Sequence, residues 1–179
     1  MKVVVQSDKI PGNAIVSTGF GEISYCDSYR IAKQTNKTVD EITTQLFKAP
    51  QWVVVLMKIR NSIVKIAGLR AGKNENVEEA AYYPVGSKAG YFTVTARNAN
   101  EIVMGENDRH LCFRTSVLVD RERSFIYLTT IVRFHNVCGR IYFLPVKPFH
   151  QLIVKSLLRR QGKLKIRKAN LPLLPDQNF

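Results

Sequence analysis

The sequence predicts an α+β protein in which an antiparallel sheet is covered on one face by helices. Three observations support this prediction: four consecutive strands with a common apolar face over residues 91–134, amphipathic helices on either side of them, and helices that are grouped rather than alternating with strands. Grouped helices beside sequential strands favour an antiparallel sheet over the parallel sheet of a βαβ protein.

Short polar connections at residues 98–100, 107–108 and 121–122 divide residues 91–134 into four strands. Because side chains alternate between the two faces of a strand, pairing the strands about these connections decides which residues share a face. The predicted apolar face contains Phe92, Val94, Ala96, Ile102, Met104, Leu111, Phe113, Val117, Val119, Ile126, Leu128, Val132 and Phe134. The opposite face carries Tyr91, Thr93, Thr95, Arg114, Ser116, Tyr127 and Arg133.

The chain before this run contains two strand candidates. Residues 2–5 suit an edge strand. Residues 23–32 alternate in the manner of a second strand, with Tyr25, Asp27, Tyr29 and Ile31 on the inward side.

Two helices are predicted between these strands and the four-strand run, and a third after it. Thr38 and Glu41 form a capping box for a short helix. Residues 52–67 repeat apolar side chains at helical spacing. Pro148 suits the first turn of a last helix, to about residue 160. Its apolar stripe, which we expect to cover the sheet, is Phe149, Leu152, Ile153, Ser156 and Leu157.

Length and composition indicate one domain over residues 1–179, with residues 161–179 as a basic tail on its surface. The first residues do not resemble a secretory signal, and no apolar run is long enough for a transmembrane segment. Three separated cysteines without a CxxC pair indicate free thiols, so we expect a cytoplasmic protein.

The net charge of +13 is concentrated near the C-terminus, where residues 124–175 contain no Asp or Glu. Such a surface attracts acidic proteins, anionic lipids or nucleic acid, although a merely solvated surface has the same composition. The absence of interleaved aromatic residues argues against nucleic acid. The candidate residues for an anionic partner are Lys155, Arg159, Arg160, Lys163, Lys165, Arg167 and Lys168.

No catalytic or cofactor-binding motif is present. His110, His135 and His150 lack the spacings of metal ligands, and no nucleophile or phosphate-binding motif occurs. We therefore assign no catalytic residue, metal or cofactor. His150 is interpreted as a structural residue that caps the backbone or reaches a neighbouring carboxylate.

Polar residues on the apolar face are the most informative candidates. Thr115 and Thr130 fall there as diagonal neighbours, and Asp27 lies among inward residues. A buried carboxylate is costly unless it is paired or hydrogen-bonded. Asp27 therefore either bonds the backbone or an arginine at the sheet rim, or serves as a polar handle or general base in a cavity, with Tyr29 as a partner.

The predicted order of a strand, two helices, several antiparallel strands and a long C-terminal helix resembles the helix-grip fold of the START and polyketide-cyclase-like superfamily. A narrower match is carried by residues 27–30, 50–52, 60–61, 68–69, 108–111, 113–114, 145–150 and 159–160. These segments resemble an uncharacterised bacterial domain family whose members occur alone or fused to an epimerase-like, NAD-binding reductase. The resemblance implies a curved sheet wrapped around a long C-terminal helix, and a functional link to such a reductase, but its cofactor is not carried over.

We expect a non-catalytic domain that binds a small apolar or amphipathic ligand between the sheet and the C-terminal helix. The alternatives are a cyclase, dehydratase or hydrolase on the same scaffold, and a module that binds acidic partners through its cationic surface. The expected apolar lining is Trp52, Leu56, Phe92, Met104, Phe113, Leu128, Phe149 and Ile153, and the polar handles are Asp27, Tyr29, Thr115 and Thr130.

Overall fold

A computed structural model describes residues 4–47, 81–90 and 92–163 of the chain. These residues form seven strands, β1 (Val5–Ser7), β2 (Tyr25–Ala32), β3 (Lys88–Ala89), β4 (Phe92–Arg97), β5 (Glu101–Asn107), β6 (Leu111–Asp120) and β7 (Phe125–Phe134), and two helices, α1 (Val39–Phe47) and α2 (Val137–Lys163). The strands make one curved antiparallel sheet in the order β1-β2-β7-β6-β5-β4-β3. The predicted α+β class is therefore confirmed.

The four-strand run has the predicted connections and one continuous apolar face. At the first connection Asn98 accepts hydrogen bonds from the backbone N–H groups of Asn100 and Glu101, and at the second the Asp108 N–H donates to the Leu111 carbonyl. We call the face toward α1 and α2 the inner face. Its buried core includes Val94, Ile102, Met104, Val117, Val119, Ile126 and Leu128.

The predicted position of Ala96 on the inner face is wrong, because β4 contains a bulge. Val94 pairs with Met104 and Ala96 pairs with Val103, so Thr95 is an extra residue on this strand. An extra residue shifts the alternation by one position. Ala96 therefore packs on the opposite face, and Arg97, opposite Ile102, is brought to the inner face.

The capping box of α1 is confirmed. The Glu41 N–H donates to the Thr38 hydroxyl, and the Thr38 N–H donates to the Glu41 carboxylate. The apolar side of the helix packs into the inner core through Ile42 and Leu46, as predicted. Asp40 in the same turn is buried and completes the attachment through an ion pair with Arg97.

The opposite, outer face of the sheet is not only polar, because the chain before β2 folds over it. Val16 and Phe20 pack with Val103 and Ile131 in a second buried cluster. The buried carboxylate of Glu101 anchors this segment by accepting a hydrogen bond of 2.6 Å from the Ile15 N–H. Apolar residues thus cover part of the face that strand alternation predicted to be polar.

Burial of Glu101 predicts a specific dependence of stability on pH. Desolvation raises the pKa of its carboxyl above the ordinary value of 4.5, although hydrogen bonds from the backbone N–H groups of Ile15 and Val16 oppose the rise. The folded protein then binds more protons than the unfolded chain, so this contribution to the free energy of unfolding falls as the pH rises above about 4.5. Glu101→Gln keeps an acceptor for Ile15 but cannot ionise. We expect its stability relative to the natural protein to increase from about pH 4 to about pH 8.

Urea denaturation at several pH values measures this difference. The matched control is Glu122→Gln in the exposed β6–β7 loop, where the substitution removes a solvated carboxylate. A stability difference for Glu101→Gln that does not change with pH contradicts the prediction.

The last helix begins earlier than predicted. It starts at Val137 rather than Pro148, and both Pro145 and Pro148 lie inside it. The side chain of Asn136 caps its start by accepting a hydrogen bond of 3.1 Å from the Gly139 N–H. The helix also extends to Lys163, so residues 161–163 are helical rather than part of a tail.

The buried side of α2 also differs from the predicted stripe. Val154, Leu157 and Leu158 are buried in the inner core, whereas Phe149 and Leu152 are exposed. Apolar residues occupy consecutive positions in this part of the helix, so two adjacent faces have the helical spacing. The predicted face is rotated relative to the face that is buried. Among the predicted stripe, Leu157 and the half-buried Ile153 contact the core.

The predicted helix over residues 52–67 and the basic segment after residue 163 lie outside the described residues. Within the described residues, neither helix is both long and apolar enough to cross a membrane.

Candidate functional site

A buried carboxylate lies where α2 crosses the inner face. Asp27 on β2 is 2% exposed. One of its oxygens, Oδ2, accepts a hydrogen bond of 2.7 Å from the Tyr25 hydroxyl, and the other, Oδ1, lies 3.3 Å from Nε2 of His150. The partners of Asp27 are therefore a tyrosine and a histidine rather than the backbone or an arginine. Hydrogen bonds to both oxygens offset the cost of burying the carboxylate.

The local sequence explains how these side chains meet. Tyr25, Asp27 and Tyr29 are two residues apart on one strand, so all three point to the inner face. His150 reaches Asp27 from α2, which confirms that this histidine contacts a neighbouring carboxylate. We call Tyr25, Asp27, Tyr29 and His150 the Asp27 cluster.

Tyr29 has a hydroxyl group whose environment is unusual. The residue is 0% exposed, and among the described residues no hydrogen-bond partner reaches its hydroxyl oxygen. Burial, then the negative charge of nearby Asp27 and an interaction of its carboxylate with the hydroxyl that is longer than an ordinary hydrogen bond, raise the pKa of Tyr29, so the phenol stays protonated at neutral pH. The ammonium group of Lys155 lies 5.6 Å from the centroid of its ring. The cluster thus contains a neutral buried donor beside a carboxylate.

Tyr25 forms the more exposed edge of the cluster. Its hydroxyl donates to Asp27 and accepts a hydrogen bond of 3.3 Å from the Gln151 side chain. Burial and the hydrogen bond to Asp27 raise the pKa of Tyr25, whereas the Gln151 donor opposes the rise. Lys147 lies 5.1 Å from the centroid of its ring.

The two predicted threonines continue the polar row across the sheet. Asp27 pairs with Thr130, and Thr130 pairs with Thr115. The threonines are thus directly opposite each other rather than diagonal, and their hydroxyl oxygens are 3.3 Å apart. Both side chains are buried. Beyond them the row becomes apolar at Met104.

The apolar candidates are divided between the core and the surface. Met104 and Leu128 are buried in the inner core, with Phe92 packed against it, and the Phe92 and Phe113 rings meet edge to face at 5.1 Å. Phe149 is 46% exposed, so its predicted position against the sheet is wrong. Trp52 and Leu56 lie outside the described residues.

The cationic candidates are only partly described. Lys155 contacts the Asp27 cluster through Tyr29, and Arg159 and Arg160 are exposed on α2. Lys163 is the last described residue of that helix, and Lys165, Arg167 and Lys168 lie beyond it. The predicted surface for an acidic partner therefore stays a prediction.

The alternation in β2 revealed Asp27 and Tyr29 but not the histidine opposite them. The sequence places His150 in the first turn of the last helix, where it predicts only a structural role. The available signal was the buried carboxylate itself, because an inward Asp requires a donor from the element that covers it. Among the described residues no three His, Cys, Asp or Glu side chains converge as a metal site would require.

Comparisons with known proteins identify a family. No curated protein and no solved structure matches the chain. The family model described as protein of unknown function (DUF2867) matches residues 20–157, a span that contains the whole Asp27 cluster. The chain therefore belongs to the DUF2867 family.

Proposed function

We propose that the protein binds a small amphipathic molecule between the inner face and α2, with the polar end of the molecule at the Asp27 cluster. The observation that carries this proposal is the buried Tyr29 hydroxyl, which has no described partner at ordinary hydrogen-bonding distance and only a longer interaction with the Asp27 carboxylate. A buried hydroxyl without a partner is unfavourable for folding alone. A ligand oxygen that accepts its hydrogen bond explains why a tyrosine, rather than a phenylalanine, occupies this position.

The surroundings define the chemical class of the ligand. Asp27 offers a carboxylate acceptor, and Tyr29 offers a neutral donor. Apolar side chains such as Met104 and Leu128 surround the row on the same face. A mostly apolar lining with a few placed polar groups is typical of small-molecule sites. The best-matched ligand has an apolar body and one hydroxyl or carbonyl group.

The order of the elements also supports a helix-grip scaffold. A strand, a helix, an antiparallel meander and a long C-terminal helix occur in the order of a helix-grip protein. We propose that the family belongs to that superfamily, and the element order and the resemblance of the sequence support this proposal. A cytoplasmic location and a functional link to an NAD-binding reductase rest on cysteine usage and resemblance alone.

The Tyr29→Phe substitution tests ligand binding. We expect the bound fraction of a co-purifying molecule, measured by native mass spectrometry on protein from its own host, to decrease about two- to tenfold because one hydrogen bond is lost. The free energy of unfolding, measured without the ligand, should stay the same or rise by up to about 1–3 kcal/mol, because a buried hydroxyl without a close partner is unfavourable. Tyr82→Phe is the control, since Tyr82 is exposed and packs its ring on Arg97.

Two results contradict this proposal. One is equal ligand retention by Tyr29→Phe and the control. The other is a protein that carries no small molecule from its host and loses stability when the hydroxyl is removed, because this assigns Tyr29 a purely structural role.

An acid–base enzyme is the second candidate, and the Asp27–His150 contact favours it. A carboxylate that holds one ring nitrogen of a histidine leaves the other nitrogen to accept a proton, as in many general bases. The contact seen here engages Nε2. The same mass spectrometry distinguishes the candidates, because an enzyme converts the recovered molecule to a product of different mass or retention, whereas a binding protein returns it unchanged.

A further inference from the structure

A groove of about 680 Å³ lies on the outer face, remote from the Asp27 cluster. Its sheet side includes Thr93, Gly105 and Cys112, and the segment before β2 contributes Phe20. Its volume lies within the usual range for small-molecule sites, about 300–1,000 Å³. The groove is thus large enough for a metabolite.

Two arginines on neighbouring strands give the groove its chemistry. Arg114 on β6 and Arg133 on β7 project from the outer face, and their guanidinium groups lie 5.2 Å and 5.6 Å from the centroid of the Phe20 ring. Nη1 of Arg114 donates to the carbonyls of Val16 and Thr18, and Nη1 of Arg133 donates to the Phe20 carbonyl. These bonds fix both guanidinium groups beside the groove.

The groove is also lined by the carboxylates of Glu106 and Asp108, but neither is within ion-pair distance of the two arginines. No described carboxylate forms an ion pair with either arginine, since Glu106 pairs with Lys88 and Asp108 accepts from its neighbouring backbone N–H. Both charges act on the groove, because they oppose the rise that burial produces in the pKa of the Cys112 thiol.

The donor inventory points in the same direction. A guanidinium group has five N–H donors, and carbonyl groups engage one nitrogen of each arginine here. Nε of Arg133 is buried and has no acceptor among the described residues. A role limited to holding the segment before β2 accounts for Nη1 but not for this buried donor.

We propose that the groove binds the oxyanion group of a small molecule, a carboxylate or a phosphate, through the guanidinium groups of Arg114 and Arg133. Paired guanidinium groups suit both kinds of oxyanion because their planar donors match two oxygens at once. The Thr93 hydroxyl on the sheet side of the groove is a further donor for the same molecule. This site lies on the other side of the sheet and does not depend on the proposed function.

The direct test is a titration followed by NMR of the arginine Nε–H groups, with inorganic phosphate and acetate added separately at constant ionic strength. We expect a saturable shift of the Arg133 signal with at least one anion, and the tighter-binding anion identifies the group. Arg133→Gln should weaken that binding about tenfold or more, as expected for a lost charge-assisted hydrogen bond. Arg30→Gln is the control, because Arg30 is exposed on the outer face and lies over Phe125 instead of Phe20.

A second measurement uses the unsubstituted protein, in case Arg133→Gln does not fold. Alkylation of Cys112, which lines the groove, should become slower when the anion is bound, whereas alkylation of the exposed Cys138 should not change. The proposal is overturned if neither anion produces a saturable shift at Arg133, if Arg30 responds equally, or if Cys112 and Cys138 react at rates that do not depend on the anion.

Discussion

Replacing Arg97 with leucine is expected to lower the free energy of unfolding by about 3–5 kcal/mol, as found when one partner of a buried ion pair is removed. Arg97 donates from Nη1 and Nη2 to the two oxygens of Asp40 at 2.9 Å and 3.0 Å. The substitution leaves the Asp40 carboxylate buried with one described donor, the Tyr83 N–H at 2.8 Å. Urea denaturation followed by circular dichroism measures the loss.

Two further variants isolate the reason for this loss. Combining Arg97→Leu with Asp40→Asn removes the uncompensated charge and should recover part of the stability. Lys88→Leu is the matched control, because it breaks the exposed Lys88–Glu106 pair and should cost at most about 1 kcal/mol. A loss at Arg97 no larger than the loss at Lys88 contradicts the burial of the pair.

Leu158→Ala has the second large expected effect, a loss of about 2–5 kcal/mol from the removed contacts and the cavity that remains. Leu158 is 0% exposed and belongs to the inner core, whereas Leu152 on the same helix is 59% exposed. Leu152→Ala is therefore the matched control, expected to change stability by no more than about 0.5 kcal/mol. The comparison keeps the residue type, the substitution and the helix constant.

This pair of variants decides which side of α2 faces the sheet. The predicted stripe included Leu152 and omitted Leu158, so the two orientations give opposite rankings. A larger loss for Leu152→Ala supports the orientation that the sequence predicted and contradicts the structure.

The sheet was largely predictable because its signals are local. Asn98 and Asp108 sit in short turns whose hydrogen bonds are made within a few residues. Strict alternation then carried the register from one turn to the next and correctly placed Phe113 and Leu128 on the same face. The bulge at Thr95 was not visible, because an extra residue in one strand is defined only by its partner strand.

The extent of α2 was missed for a physical reason. Proline is most common in the first turn of a helix, so Pro148 suggested a start. The chain instead begins the helix at the Asn136 cap and accepts two prolines within it. Asn136 was a usable signal, since asparagine is a favoured cap.

The candidate site was half predictable. Asp27 and Tyr29 followed from strand alternation, because that alternation is a property of one segment. The pairing of Asp27 with His150 joins residues far apart in the chain and requires the position of α2 across the sheet. The groove also forms only because the segment before β2 folds over the outer face. No local pattern in residues 10–23 predicts this fold.

The two internal prolines have a mechanical consequence. Proline nitrogen carries no hydrogen, so the carbonyls of Ile141 and Leu144, four residues earlier, receive no helical hydrogen bond from Pro145 and Pro148. Because these two hydrogen bonds are missing, we expect α2 to bend most easily just ahead of His150, whereas Leu158 holds its other end in the inner core. A bend at this point changes the distance between the His150 imidazole and the Asp27 carboxylate, while the end of the helix held by Leu158 keeps its position.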